Sequence, residues 1–595
     1  MSRRAVLALI SLTGCASPNV IPKTFSTDWL NDGGHSIARV EQQLRSTPKP
    51  PTVNVALGVT ETAILGIPLE GGQRWSVAAV PDTLPVVAGD LVLFSSRGKL
   101  NALDAKTGAP RWTTDVNGYW LRGAGDDGKV TVATLGTSDR KKSLLVSVKR
   151  NGSVGLHIET PILLGRPAAR GGVAFVPWAG QYVSAIDTES GDEIGRLLTR
   201  EVTSYALTLG GETFFGEKAM LHFDESVKFA STNQGQRTML PDRLLPGRPR
   251  WLSPGGELPV IDAGAHAKIR IYAAPTWVNG ETRMTSDGFV ATYFRAAMGF
   301  DAKSAELRWV KALPSPVIGG AAAASGFVLC SADGKASFVG PTGAAAGEVS
   351  LGAPLRACVV EASAFRTASG EAPGPLAAQL DRTLTQLDPE MAAAQAFLVS
   401  ELGRLNDPGV TKTLIDLTTS ARVPPDVRKR ARDLLSQRRS GADLMLAALE
   451  RHYDFLSGEL LAPPVGPLAD ALSSMKEQRA APLLARHLND PSTEVADVER
   501  AAHALSSLAT PEELPSLRTF FALYRATADE PLLVEAVVSV ARALLRVGGA
   551  DGRTLVERAA RDPLTQPEVA RELVTIATPP PQAAAQAPSK REGAK

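Results

Sequence analysis

Residues Ala102–Trp112 read "ALDAKTGAPRW". The run that enters this stretch, "KLNALD" (99–104), has the alternating character of a half-buried strand. It stops at Thr107 and Gly108 and resumes toward a single Trp, four residues beyond the glycine. Gly admits the positive φ of a tight turn, and Asp and Thr side chains bond the backbone of such turns. The stretch therefore predicts strand, turn, strand, with Asp104 and Thr107 capping the turn and Trp112 on the outgoing strand.

The form A-x-D-x-x-T-G-x-x-x-W, filled by Ala102, Asp104, Thr107, Gly108 and Trp112, returns in degraded copies. "AIDTESGDEIG" keeps Ala185, Asp187 and Gly191, with Gly195 where Trp should stand. "GFDAKSAELRW" keeps Asp301 and Trp309; "SFVGPTGAAAG" keeps Thr342 and Gly343; Gly71 with Trp75, and Gly152, mark two more turns. Neighbouring turns lie about 39 residues apart, with one gap of about three such units after Gly191. Ahead of the turns run "VAGDLVLFS", "DDGKVTVAT", "ARGGVAFVP" and "ASGFVLCSA", each a Gly or Asp turn followed by strand-forming residues. A four-stranded unit of about 39 residues is a propeller blade, and an indole ring fills the wedge between radially packed sheets.

The repeat resembles that of the PQQ-type β-propellers with their tryptophan-docking motif, over residues 55–365. The resemblance implies an all-β propeller of eight blades, or of seven with a long insertion around 240–285. The first turn comes too early to close a full blade, so "LRACVVEAS" (355–363) is expected to return, complete the first blade and close the ring. On this reading the motif residues build blades and carry no chemistry.

The first residues, "MSRRAVLALISLTGC", place Arg3 and Arg4 before an apolar run that is too short to span a bilayer. "LTGC" resembles the bacterial lipobox, which implies a signal peptide over 1–14 and a lipid attached to Cys15. Ala16 after the cysteine favours the outer membrane, facing the periplasm. Residues 15–54 form the lipidated N-terminus and linker, within which "HSIARVEQQLRS" is predicted to be one short amphipathic helix.

After a Pro- and Gly-rich linker at 366–388 the pattern changes to helical spacing. Val427, Ala431, Leu434 and Leu435 share one helix face, as do Val498, Ala501, Ala502 and Leu505, and Val569, Leu573 and Ile576. Starts fall at acidic or Pro residues, as in "NDPGV", "RVPPDV" and "ATPEEL". Residues 389–578 thus predict ten or eleven helices of 11–19 residues. Asp426, Val427 and Arg428 resemble the start of a HEAT-type repeat, which implies an α-solenoid of helical hairpins. The last residues, 579–595, are poor in hydrophobics and are expected to be disordered.

Three cysteines are present. Cys330 and Cys358 fall in predicted strands near the end of the propeller. Outside the cytoplasm they either bond, stapling the ring, or remain two buried thiols facing different layers. The seven histidines and the cysteines show no metal-ligand spacing. The formal net charge of +2 gives no argument for nucleic acid.

The combination resembles the BamB-like propeller lipoproteins of outer-membrane barrel assembly. That implies a non-enzymatic scaffold, held to the membrane by its lipid, that binds other envelope proteins and needs no cofactor. The helical half departs from that family. A quinoprotein oxidoreductase is the competing class, but the vicinal Cys-Cys pair of those enzymes has no counterpart here. A third reading is ligand or polysaccharide binding, with Trp178 and Tyr182 exposed for the purpose.

Overall fold

The computed structural model describes residues 24–26, 40, 44, 51–198, 202–209, 212–216, 220–223, 239–240, 250–251, 261–262, 268–272, 275–278, 281–284, 288–301, 306–323, 325–362, 365, 372–386, 388, 391–451 and 462–578. Cys15 with its lipobox, the signal segment and the tail at 579–595 lie outside them. The chain divides into two compact units that meet in sequence between Pro373 and Gly374.

The described part of the first unit holds seven antiparallel sheets of three to five strands and two two-stranded ribbons. The second sheet, built from the opening stretch, is typical. Its strands Val86–Ala88, Leu91–Ser96, Lys99–Asp104 and Pro110–Asp115 pair in chain order. The third sheet runs from Trp120–Asp126 to Val154–Thr160 and the fourth from Ala168–Arg170 to Glu193–Leu198. The fifth has three strands between Tyr205–Leu209 and Met220–Phe223, and the sixth five between Ile261–Asp262 and Leu307–Ala312. The seventh runs from Val317–Ala323 to Ala345–Ser350.

Sheets stack face to face, which explains why the second strands read as unbroken apolar runs. Leu91 and Leu93 join Leu121, Ala133 and Leu135 of the third sheet. Val92 and Phe94, one residue out of phase, join Val55, Leu57 and Ile64 of the first. Outer strands are covered only in part, so Pro110–Asp115 buries Trp112 and exposes its neighbours.

The first sheet joins distant parts of the chain. Strand Val55–Val59 pairs with Ala63–Pro68 on one side and with Ala357–Glu361 on the other, Gly58 opposite Cys358. The seventh sheet stacks on it through Val328, Phe338, Ala56, Leu65 and Val360. Cys330, in strand Gly326–Ser331, is bonded to Cys358.

Three residues from the N-terminal stretch are buried between sheets. Phe25 enters the cluster between the third and fourth sheets. Val40 and Leu44, spaced by one helical turn, enter the cluster between the fourth and fifth. These are the interfaces where the blade motif has lost its indole: Leu156 stands where the third sheet's Trp would be, and Gly195 where the fourth's would be. Apolar side chains from outside the repeat occupy the same interfaces.

The second unit has twelve α-helices among the described residues, of 8 to 17 residues. They are α1 Leu376–Gln386, α2 Ala392–Arg404, α3 Pro408–Thr419, α4 Pro425–Ser436, α5 Ala442–Glu450 and α6 Val465–Ser474. They continue as α7 Ala481–Leu488, α8 Val495–Leu508, α9 Leu514–Tyr524, α10 Pro531–Val547, α11 Gly549–Arg561 and α12 Pro567–Ala577. The linker expected over 366–388 is therefore corrected: its second half is α1, whose Leu380, Thr383 and Leu384 are buried. The Pro-rich lead-in hid this helix, because Pro375 stands immediately before it, where proline starts a helix rather than breaking one. Residues 389–578 themselves hold eleven helices, within the expected ten or eleven, while the lower length limit of 11 residues is corrected to 8 by α7.

From α1 to α10, every helix except α9 lies against the one two places on. α2, α4, α6, α8, α10 and α12 form one layer and α1, α3, α5, α7 and α9 the other, while α11 packs on α10 and α12. The faces that the spacing picked out are the buried ones: Val427, Ala431 and Leu435 in α4, and Val498, Ala501, Ala502 and Leu505 in α8. Starts are capped as the sequence suggests. The Asp407 carboxylate accepts from the backbone N–H of Gly409 ahead of α3, and Thr510 with Glu513 makes a capping box ahead of α9.

Candidate interaction surface

The blade motif was the first candidate. Asp104 Oδ1 accepts from the backbone N–H of Lys106 and Thr107 at 3.0 and 2.9 Å and from the Thr107 hydroxyl at 2.9 Å. Its other oxygen is paired with the Arg111 guanidinium at 2.6 Å. Burial works to raise the Asp104 pKa, but these donors hold it below the ordinary carboxylate value. Asp187 repeats the turn with Glu189 and Ser190, both at 2.9 Å. Asp301 is ion-paired with Arg308, seven residues on as in Asp104 and Arg111.

The glycines sit at positive φ, +71° at Gly108, +78° at Gly191 and +87° at Gly343. At two of them the reason is also contact. A Cβ on Gly108 would lie 2.6 Å from the Trp75 ring, and one on Gly343 2.5 Å from Trp309. Each indole thus covers the turn of the next sheet and donates to that turn's backbone, Trp75 to the Ala105 carbonyl and Trp309 to the Pro341 carbonyl, both at 3.1 Å. Its other face lies over a small residue of its own sheet: Gly66 beside Trp75, Gly299 beside Trp309, and Ala102 beside Trp112 in register. Trp112, from the copy that fills every place of the motif, has an indole N–H without a hydrogen-bond partner among the described residues. Thr342 lies in the turn covered by Trp309.

Trp178 and Tyr182 do not form the exposed pair expected of a ligand site. Trp178 is fully buried, stacked on Tyr182 at 4.4 Å between ring centres and met edge-on by Phe25 at 5.9 Å. Its N–H donates to Ser184 Oγ at 2.8 Å, whose hydroxyl donates to Glu193 at 2.6 Å. Arg196 lies over the ring and pairs with the same carboxylate.

A different feature can receive a partner. In the second unit a groove of about 710 Å³ opens where α4, α6 and α8 begin and α5 and α7 end. Six cationic side chains line it: Arg428, Lys429, Arg432, Arg451, Arg486 and Arg500. Four carboxylates share it, Asp433, Asp490, Glu494 and Asp497, and three helix N-termini add partial positive charge. Four of the cations tie the walls together. Arg432 bonds buried Asp497 at 2.5 Å and Arg500 bonds Asp470 at 2.8 Å. Arg486 donates to the Leu449 carbonyl at 2.8 Å and Arg428 to the Val423 carbonyl at 3.0 Å. Lys429 and Arg451 have no carboxylate partner among the described residues. The groove suits a segment bearing carboxylates or phosphates. Sequence reading missed it because its cations are spread over 428–500; only the stacking of alternate helices brings them together.

Among the described residues no group of three or more His, Cys, Asp or Glu side chains is placed to hold a metal ion. No helix among them is long and apolar enough to cross a membrane.

A family model described as "Outer membrane protein assembly factor BamB" matches residues 67–238. No curated protein matches the chain. Similar solved structures include BamB from Moraxella catarrhalis, 14% identical over 51% of this chain and 85% of that one, with a TM-score of 0.27. They also include the dihydro-heme d1 dehydrogenase NirN in complex with DHE, 12% identical over 54% and 78%, at 0.33. A third is a europium-containing methanol dehydrogenase, 11% identical over 52% and 81%, at 0.27. The first unit therefore resembles a PQQ-type propeller, and about a dozen helices follow it.

Proposed function

We propose that this chain is a non-enzymatic scaffold of the bacterial envelope, held by a lipid on Cys15, that binds other envelope proteins. The observation that carries the reading is the match over 67–238 to the outer-membrane assembly family. It falls on stacked sheets packed by Trp75 at the Gly108 turn and by apolar side chains at the later interfaces, rather than on a cluster of reactive side chains. In this reading the first unit is a closed ring. The pairing of Val55–Val59 with Ala357–Glu361 and the stacking of the seventh sheet on the first favour closure. The seven sheets of three or more strands among the described residues favour seven blades with an insertion over eight. The second unit is a HEAT-like solenoid, and its basic groove takes an acidic segment of a partner.

Cross-linking in intact cells followed by affinity capture tests the reading. It is expected to recover components of outer-membrane protein assembly, with recovery lowered by Lys429→Glu combined with Arg451→Glu. Alcohol oxidation by the chain after addition of the quinone cofactor and calcium, in a dye-linked assay, would overturn it.

A further inference from the structure

Seven large apolar side chains are exposed in the described part of the first unit, and six of them lie at one end of its sheets: Val80, Leu84, Trp120, Leu163, Leu198 and Val202. Hydrogen bonds carry this end from sheet to sheet. The Ser96 hydroxyl, at the hairpin that turns through Arg97 and Gly98, donates to the Val80 carbonyl at 2.8 Å. The Thr83 hydroxyl donates to the Leu121 carbonyl at 2.9 Å, next to Trp120. Leu164 N–H donates to Ser143 Oγ at 3.1 Å, just after the hairpin at 137–142, and Leu164 bridges to Trp178. Thr203 N–H donates to the Gly180 carbonyl at 2.8 Å, and Leu198 stands opposite Tyr182. The seventh residue, Val154, is at the other end, beside the Gly152 turn.

Two more observations converge on the same end. The hairpin tips carry exposed Arg97, Lys99, Arg140, Lys141 and Lys142. One carboxylate sits on those tips, Asp139, 3.7 Å from Lys141; Asp82 and Asp115 stand nearby in the chain. The N-terminal stretch is also fixed here: Phe25 packs on Trp178, and Arg196 donates to the Ser26 carbonyl. Cys15 is ten residues before Phe25, and ten residues reach at most about 35 Å.

We propose that this end of the first unit is a membrane-contacting face. Its apolar side chains enter the headgroup boundary, and its lysines and arginines meet anionic lipid. The inference rests on the lipid-anchor reading only for the direction in which the N-terminus leads, and its test is independent of acylation. The mature chain carrying Cys15→Ser has no acyl group. It is expected to float with vesicles of phosphatidylethanolamine and phosphatidylglycerol. Trp120→Asp, Leu198→Asp and Val202→Asp together are expected to lower its partition coefficient about tenfold or more. Arg140→Glu, Lys141→Glu and Lys142→Glu together are expected to lower it about fivefold and to weaken its salt dependence. Val154→Asp is expected to change nothing. In the otherwise unmutated Cys15→Ser chain, lipids brominated near the headgroup are expected to quench tryptophan emission, and Trp120→Phe to remove much of that quenching.

No flotation, equal flotation of the triple-Asp variant, an equal loss with Val154→Asp, or absence of quenching would each overturn the proposal. So would lipid-independent self-association that the triple-Asp variant abolishes, which would make the face a contact between two copies. Mass spectrometry of the mature N-terminus of the natural chain decides the anchor separately, because an unacylated chain that still floats keeps the face and loses the anchor.

Discussion

Gly108 and Gly343 combine two demands, a left-handed backbone and space for an indole. Gly118 has the first alone, with φ of +79° and nothing within 4 Å of the position a Cβ would take. Gly108→Ala is therefore expected to cost about 2–4 kcal/mol in urea unfolding, and Gly118→Ala about 1 kcal/mol. A second prediction concerns Asp126, whose burial raises its pKa to about 6 despite hydrogen bonding to Thr131 and the charge of Arg150. The folded form then holds the proton more tightly than the unfolded chain, so this contribution is complete below pH 3.8 and is lost as pH rises through 6. Asp126→Asn is expected to remove a decline of about 3 kcal/mol between pH 4 and 7, read from unfolding midpoints across that range. An unchanged slope would refute it. The glycine turns were legible in the sequence, since their spacing from Trp is fixed. The Asp126 carboxylate was not, because its burial comes from the neighbouring turn at Gly89 and from Arg150.

At the scale of elements, the N-terminal stretch completes interfaces that the repeat leaves thin. Leu44→Ala is expected to destabilise the first unit by about 2–5 kcal/mol, as for a well-packed core leucine, although it lies outside every blade. Loss of protease resistance in the fourth and fifth sheets would report it, and resistance equal to that of the unmutated chain would count against it. The bond between Cys330 and Cys358 closes a loop of 28 residues. Cys358→Ser is expected to lower stability by about 3 kcal/mol under oxidising conditions and to change nothing once reductant is present. The sequence predicts an amphipathic helix in "HSIARVEQQLRS", of which only Val40 and Leu44 are among the described residues, but periodicity cannot say which sheet an apolar stripe will meet. It likewise put α1 in a linker, because a short helix after Pro and Gly residues carries too few turns for its spacing to stand out.

For the whole molecule, two compact units with separate cores imply two unfolding events. Calorimetry is expected to resolve two transitions, with Gly343→Ala lowering only one of them. A single transition that shifts as a whole would contradict this. What the sequence determined by itself was the kind of each unit: a turn-and-indole repeat of about 39 residues forces small antiparallel sheets, and apolar residues three and four apart force helices. Both signals are local, written within one unit and copied. The return of strand 357–361 to the first sheet was legible too, because the early first turn leaves that sheet a strand short. What only the tertiary structure decided was which other distant faces meet: the burial of Trp178 under Phe25, the basic groove gathered from alternate helices, and the apolar end shared by successive sheets. Those depend on which faces meet, and a chain records the character of its faces without recording their partners.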